Sequence, residues 1–240
     1  MAYGRRRVFD ALSCHFPRGR ISVILGGSGL GKSTILRLIG GLTRPQAGAV
    51  IVDGHDITRL SQRGLDLVRR KMGMMFQGGA LLDSYSVFEN LALPLRENGS
   101  HTEQEIASLV HRILDAVAVG DADELFPRQL SGGMLRRVAL ARAIIRKPEL
   151  LLCDEPFSGL DPASIRHIEA LLIEINKKFA MTMIVVSHDV HSTVRMADHV
   201  VMILEDRVLE GTPAELLQSS DPKAAEFLRE GVERLQKICS

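Results

Sequence analysis

The chain has 240 residues, 45% of them hydrophobic and 25% charged, with a formal net charge of +1. That balance excludes a disordered or fibrous chain, and the absence of a basic excess leaves no electrostatic footprint for nucleic acid. No stretch reaches the roughly 20 apolar residues that a membrane-crossing helix needs, and no apolar leader follows Arg5, Arg6 and Arg7, which read as a solvated turn.

From the N-terminus, Val8 to Phe16 and Gly19 to Leu25 read as strands flanking a turn at Pro17, Arg18 and Gly19. The second is short, apolar and followed at once by glycines. A helix is predicted from Lys32 to Ile39, stopped by Gly40 and Gly41. Ala49 to Val52 with Asp53-Gly54 reads as a strand and turn. Val68 to Phe76 leads into a glycine corner at Gly78-Gly79, and from 84 to 145 the pattern is helical, with a clear amphipathic stretch from Ser100 to Val117. Leu150 to Cys153 and Met181 to Val186 read as buried strands around a helix from Ala163 to Phe179. Val200 to Leu204 and Val208-Leu209 make a hairpin, Thr212 to Glu215 a capping box, and Asp221-Pro222 opens a last helix. The expected fold is α/β: a core with a mostly parallel sheet over 1–83 plus 146–240, an antiparallel β subdomain, and an inserted helical subdomain over 84–145.

Gly26-Gly27-Ser28-Gly29-Leu30-Gly31-Lys32-Ser33 matches the phosphate-binding loop in each fixed position, with an apolar strand before it and a helix after it. Its glycines let successive N–H groups converge on phosphate, and the helix N-terminus adds its positive end. Lys32 supplies a point charge for the β- and γ-phosphates, and the Ser33 hydroxyl is a magnesium ligand. Asp154 and Glu155 close an apolar strand. The first is suited to hold magnesium through water, the second to orient or deprotonate an attacking water. Ser131-Gly132-Gly133 opens a helix whose apolar stripe is Met134, Val138, Ala141 and Ile145; read alone, this is an ordinary capped helix or a second anion site. His188 follows a buried strand, where open α/β sheets place ligands, although a lone histidine is more often structural. Gln77 by itself says little. Cys14, Cys153 and Cys239 are scattered, which suits reduced thiols, and Cys153 reads as core.

Phosphate loop, Gln77, Leu130-Ser131-Gly132-Gly133, Asp154-Glu155, Ser158-Gly159-Leu160-Asp161 and Ser187-His188-Asp189 occur in an order that resembles the ABC transporter ATPases along essentially the whole chain. The resemblance implies a P-loop NTPase core with ATP and magnesium as ligands, held by Gly26 through Thr34 with Ser33, Gln77 and Asp154 at the metal. It implies Glu155, His188 and Gln77 as the catalytic set. Ser131, Gly132 and Gly133 would meet the γ-phosphate held by a second copy, with Asp161 in the loop that crosses the dimer interface. Tyr3 would stack on adenine, although the family carries a further strand ahead of that aromatic residue and only Met1 and Ala2 precede it here.

Met134, standing where the signature usually has glutamine, with Phe76 to Leu81 and Val87 to Asn90, narrows the resemblance to the ATPase subunits of the maintenance-of-lipid-asymmetry phospholipid transporters of Gram-negative bacteria. That group implies two ATPases on the cytoplasmic face of the inner membrane with two permeases, a periplasmic MCE ring and a small STAS-domain protein. An importer of another small solute and a soluble, non-transport ABC ATPase stay open as alternatives.

Overall fold

The computed structural model describes residues 2–3, 6–7, 9 and 11–228. In chain order the elements are β1 Ala2–Tyr3, β2 Arg6–Arg7, β3 Ile21–Gly26, α1 Lys32–Ile39, β4 Ile51–Val52, β5 His55–Asp56, α2 Gln62–Arg69, β6 Met72–Met75, α3 Val87–Asn98, α4 Glu103–Ala116, α5 Gly132–Ile144, β7 Leu150–Asp154, α6 Pro162–Phe179, β8 Thr182–Val186, α7 Val190–Met196, β9 His199–Ile203, β10 Val208–Gly211 and α8 Pro213–Leu217. Residues 222–228 are helical, with Asp221 accepting from the N–H groups of Lys223 and Ala224.

Six strands form the main sheet in the order β10-β9-β3-β8-β7-β6. Every pairing is parallel except β10 with β9. A parallel sheet covered on both faces needs apolar residues at successive positions, and these strands supply them. Ile21, Val23, Leu151, Cys153, Met183 and Val185 face a core shared with Ile168, Leu172 and Ile175 of α6. Ile24, Leu152, Ile184 and Val186 face the opposite way, onto Ile35, Leu36 and Ile39 of α1. The strand alternation therefore feeds two cores, one per face. Burial pushes the Cys153 thiol up to about 12, as expected of a packing cysteine.

Helices α3, α4 and α5 pack around a third core built on Val87, Leu91, Ile106, Val110, Leu114 and Val138. Each starts on a side-chain cap: Ser86 for α3, Thr102 with Glu105 in a reciprocal box for α4, Ser131 for α5. Helix α5 belongs to two cores. Val138 and Ala141 lie in the helical core, while Ala139, Leu140 and Ile144 lie in the sheet core. A helix apolar on both sides serves as a shared wall, not as an outer layer. Asn90, fully buried, fixes the loop ahead of α3. Its carbonyl accepts from Leu82 N–H at 2.8 Å and its amide donates to the carbonyls of Leu82, Tyr85 and Ser86.

Three expectations change. Residues 12–17 form no strand; their apolar members Leu12 and Phe16 pack onto the α1-side core as an irregular segment. Arg6 and Arg7 pair with Ala2 and Tyr3 in a short antiparallel strand and not in a turn. The strand at Ala49 shortens to Ile51–Val52, which pairs with His55–Asp56 around Asp53-Gly54, both in left-handed backbone. Cys239 lies outside the described residues.

Candidate nucleotide site

Strand β3 delivers the chain to the loop at Gly26, whose φ of 154° and tight seat against the Ile203 carbonyl, 2.6 Å from where a Cβ would be, restrict the position to glycine. At the far end Gly31 takes φ 87° as the N-cap of α1 and offers no side-chain cap. The start of α1 thus keeps the N–H groups of Lys32 and Ser33 for an anion, while that of Thr34 donates to the Gly31 carbonyl at 2.9 Å. Lys32 is buried and its ammonium donates to the carbonyls of Gly26 at 2.9 Å and Gly27 at 3.0 Å. Burial pulls its pKa below the ordinary lysine value, and the nearby carboxylates of Glu155 and Asp154 partly oppose that.

The adjacent strands bring the acidic pair to the same end of the sheet. Ser33 Oγ donates to Asp154 Oδ1 at 2.8 Å, joining the start of α1 to the end of β7. One residue on, Glu155 takes a left-handed φ of 50°, uncommon for a residue other than glycine and costly in backbone strain. Its N–H donates to the Val186 carbonyl at 3.0 Å, so β8 holds the strained turn in place. The Glu155 carboxylate is largely buried, and His188 Nδ1 lies 2.8 Å from its Oε2.

Lys32, Ser33, Asp154, Glu155 and His188 therefore meet at the carboxyl ends of β3, β7 and β8, where parallel sheets expose backbone dipoles and loops. Gln77 sits just past the carboxyl end of β6, exposed, ahead of the Gly78-Gly79 corner. Ser131, Gly132 and Gly133 are elsewhere. Ser131 Oγ accepts from Met134 N–H at 3.2 Å, and a Cβ on Gly133 would meet Ser164 Oγ at 2.9 Å. Asp161 caps α6 by accepting from Ala163 and Ser164, and the Ser164 hydroxyl holds its carboxyl below the usual range. Tyr3 lies in β1; its side chain is outside the described residues.

Two arginines of the run Leu135 to Arg142 that follows Met134 join these parts. Arg136, buried on α5, donates through Nη2 to the Ser158 carbonyl at 3.2 Å, linking the signature helix to the Ser158–Asp161 loop. Arg142, farther along α5, donates to the Ala80 carbonyl at 2.6 Å, beside the glycine corner after Gln77.

Residues 9–158 match the sequence profile of the ABC transporter family. The chain belongs to that family. This ABC cassette is 45% identical over 227 residues to the intermembrane phospholipid transport system ATP-binding protein MlaF of Haemophilus influenzae, covering 94% of this chain and 86% of the relative. It also resembles the dimeric structure of MJ0796, a bacterial ABC transporter cassette, with a TM-score of 0.80 and 30% identity over 86% of this chain and 90% of that one. A post-hydrolysis dimer of MJ0796 bound to ADP and Pi matches the cassette with a TM-score of 0.79, at 30% identity and the same coverage.

Proposed function

We propose that this ABC cassette is the ATP-hydrolysing subunit of a phospholipid transporter, working as a two-fold dimer beneath a membrane permease. The observation that carries the ATPase reading is the Ser33–Asp154 bond at the mouth of the phosphate loop. It sets a hydroxyl and a carboxylate, both hard oxygen donors, beside the Lys32 ammonium. That donor set fits magnesium, with Ser33 as direct ligand, Asp154 acting through water and Gln77 approaching from the end of β6. Bound magnesium would neutralise charge between the β- and γ-phosphates.

The chain's own groups supply the rest. The run Gly26 to Thr34 wraps phosphate with backbone N–H groups, and Lys32 exchanges its loop carbonyls for phosphate oxygens. Glu155 orients an attacking water and takes its proton, with His188 fixing the carboxylate. Ser131, Gly132 and Gly133 do not join this site within one chain, so they are assigned to the γ-phosphate bound by the second copy. A two-fold axis then gives two equivalent shared sites, with Asp161 in the loop between them. Helices in 84–145 carry the signature toward and away from the partner's nucleotide, and Tyr3 stacks on adenine. Phospholipid as cargo rests on likeness to the MlaF proteins, whereas an MCE-ring protein and a small STAS-domain protein as companions, and a peripheral position on the cytoplasmic face of the inner membrane, rest on the resemblance carried by the sequence motifs.

The deciding experiment uses Glu155→Gln in the presence of ATP and magnesium, alone and with the permease. A nucleotide-dependent dimer with hydrolysis reduced at least about 100-fold is expected. A variant that hydrolyses ATP normally in the assembled complex removes Glu155 from its role, and one that never pairs removes the shared site.

A further inference from the structure

At the antiparallel edge of the main sheet, the register of β9 and β10 sets two side chains on one face. Val201 pairs with Glu210 and Val200 with Gly211. Glu210 therefore stands diagonal to His199, two residues back along β9 and on the same face. His15 joins them from the irregular segment that packs across this side of the sheet. Its Nδ1 lies 2.5 Å from Glu210 Oε2, and its backbone N–H donates to the same oxygen at 3.3 Å. His199 Nε2 faces that oxygen at 3.4 Å. The two imidazole rings are 5.0 Å apart, and the three ligating atoms all lie within 4.8 Å of one another.

His199 is the member that needs explaining. The residue is 8% exposed, and its Nε2 is buried without a hydrogen-bond partner. The approach to Glu210 is too long and poorly aimed to count as one, and the carboxylate oxygen is already engaged by His15. Buried polar nitrogens are normally satisfied, so an orphan aimed into a group of ligating atoms points to an occupant.

We propose that His15, His199 and Glu210 bind one divalent transition-metal ion of the zinc class. Two neutral imidazoles and a carboxylate form a donor set that suits zinc and leaves a position for water. Magnesium prefers oxygen ligands throughout, which separates this group from the Ser33–Asp154 pair. Zinc bonds of about 2.0–2.2 Å draw the donors to about 3.4 Å from one another. His199 and Glu210 are held by the strand ladder, and exposed His15 sits outside it, so His15 closes the gap. Cys14, although next to His15, is not part of the set: its thiol is not among the ligating atoms that lie within 4.8 Å of one another. The bound ion ties the segment leading into β3 to the β9–β10 edge, which makes it a structural staple independent of ATP hydrolysis.

The test uses the untagged full chain with excess magnesium present. Zinc chloride is titrated by calorimetry, and cobalt(II) is followed by its visible absorption. One-to-one binding is expected, with cobalt bands of a nitrogen-containing low-coordinate site and a zinc-dependent rise in melting temperature. Loss of even an outer-shell partner weakens metal sites about 10–100-fold, so His15→Gln and Glu210→Gln should each lose about 100-fold or more and abolish the thermal shift. Both positions are less buried than His199, and circular dichroism checks that the variants fold. Ser33→Ala and Cys14→Ser should bind zinc as the unaltered chain does. The proposal is overturned if the unaltered chain shows no saturable one-to-one site, if both ligand variants keep full affinity, or if Ser33→Ala loses it.

Discussion

His188 Nδ1 and Glu155 Oε2 are 2.8 Å apart although 33 residues separate them in the chain. The pairing follows from topology: β7 and β8 are parallel neighbours, with Asp154 in register with Val186, so the residues just past each strand emerge together. The imidazole thereby orients the largely buried carboxylate at the strained turn. His188→Ala should cut hydrolysis about 100-fold while ATP affinity stays within a few-fold, because general-base positioning is lost and the phosphate loop is untouched. Steady-state phosphate release and equilibrium nucleotide binding separate the two effects. A variant that lost affinity and kept turnover would place His188 in binding instead.

Lys32 illustrates a site that works against the fold. Its pKa is lowered chiefly by burial, so the unfolded chain binds this proton more tightly than the folded chain does. By linkage, the cost is present at neutral pH and is relieved as pH rises through the lowered value toward the ordinary lysine value. Lys32→Met removes the buried charge but leaves the carbonyls of Gly26 and Gly27 without its donor. The expected outcome is loss of ATP binding by calorimetry together with a nucleotide-free melting temperature equal to or above that of the unaltered chain. A drop of several degrees would show that the ammonium holds the loop together.

Much of this was legible beforehand because it is local. The phosphate loop, the boundary of α1 at Lys32–Ile39 and the continuous apolar runs of β7 and β8 each carry their own signal over a few residues. What escaped is set by tertiary context. Residues 12–17 alternate apolar side chains like a strand, yet find no ladder partner and pack sideways. Helices α2 and α7, of 8 and 7 residues, are too short for a helical period to stand out. Arg136 reveals its tie to Ser158 only once α5 lies beside the start of α6.

Asn90 is the polar pin of the helical core. It accepts from one backbone N–H and donates to three carbonyls, all within the loop that precedes α3. Replacing it with leucine would take its partner from the part-buried Leu82 N–H and Tyr85 carbonyl and put an apolar side chain against them, at about 1–3 kcal/mol each. Asn90→Leu should therefore lower stability in denaturant titrations by at least about 2 kcal/mol. An unchanged midpoint would mean that solvent replaces the amide at no cost.

Glu169 on α6 and Arg195 on α7 form a bidentate pair, at 2.9 and 2.7 Å, with the carboxylate buried and the guanidinium partly exposed. The pair fastens the helix after the Ser158–Asp161 loop to the helix after His188. Arg195→Ala leaves a buried carboxylate without its partner; fully buried pairs lose about 3–5 kcal/mol that way, and exposure of the arginine end reduces the expected loss to about 2 kcal/mol. The doubly apolar variant Glu169→Leu with Arg195→Met removes the orphan along with the pair, and should recover most of that stability. Equal losses in the single and double variants would show that the contribution of Arg195 is packing and not charge. Recovery of stability without recovery of hydrolysis would show that the pair also sets the spacing of the two loops at the nucleotide.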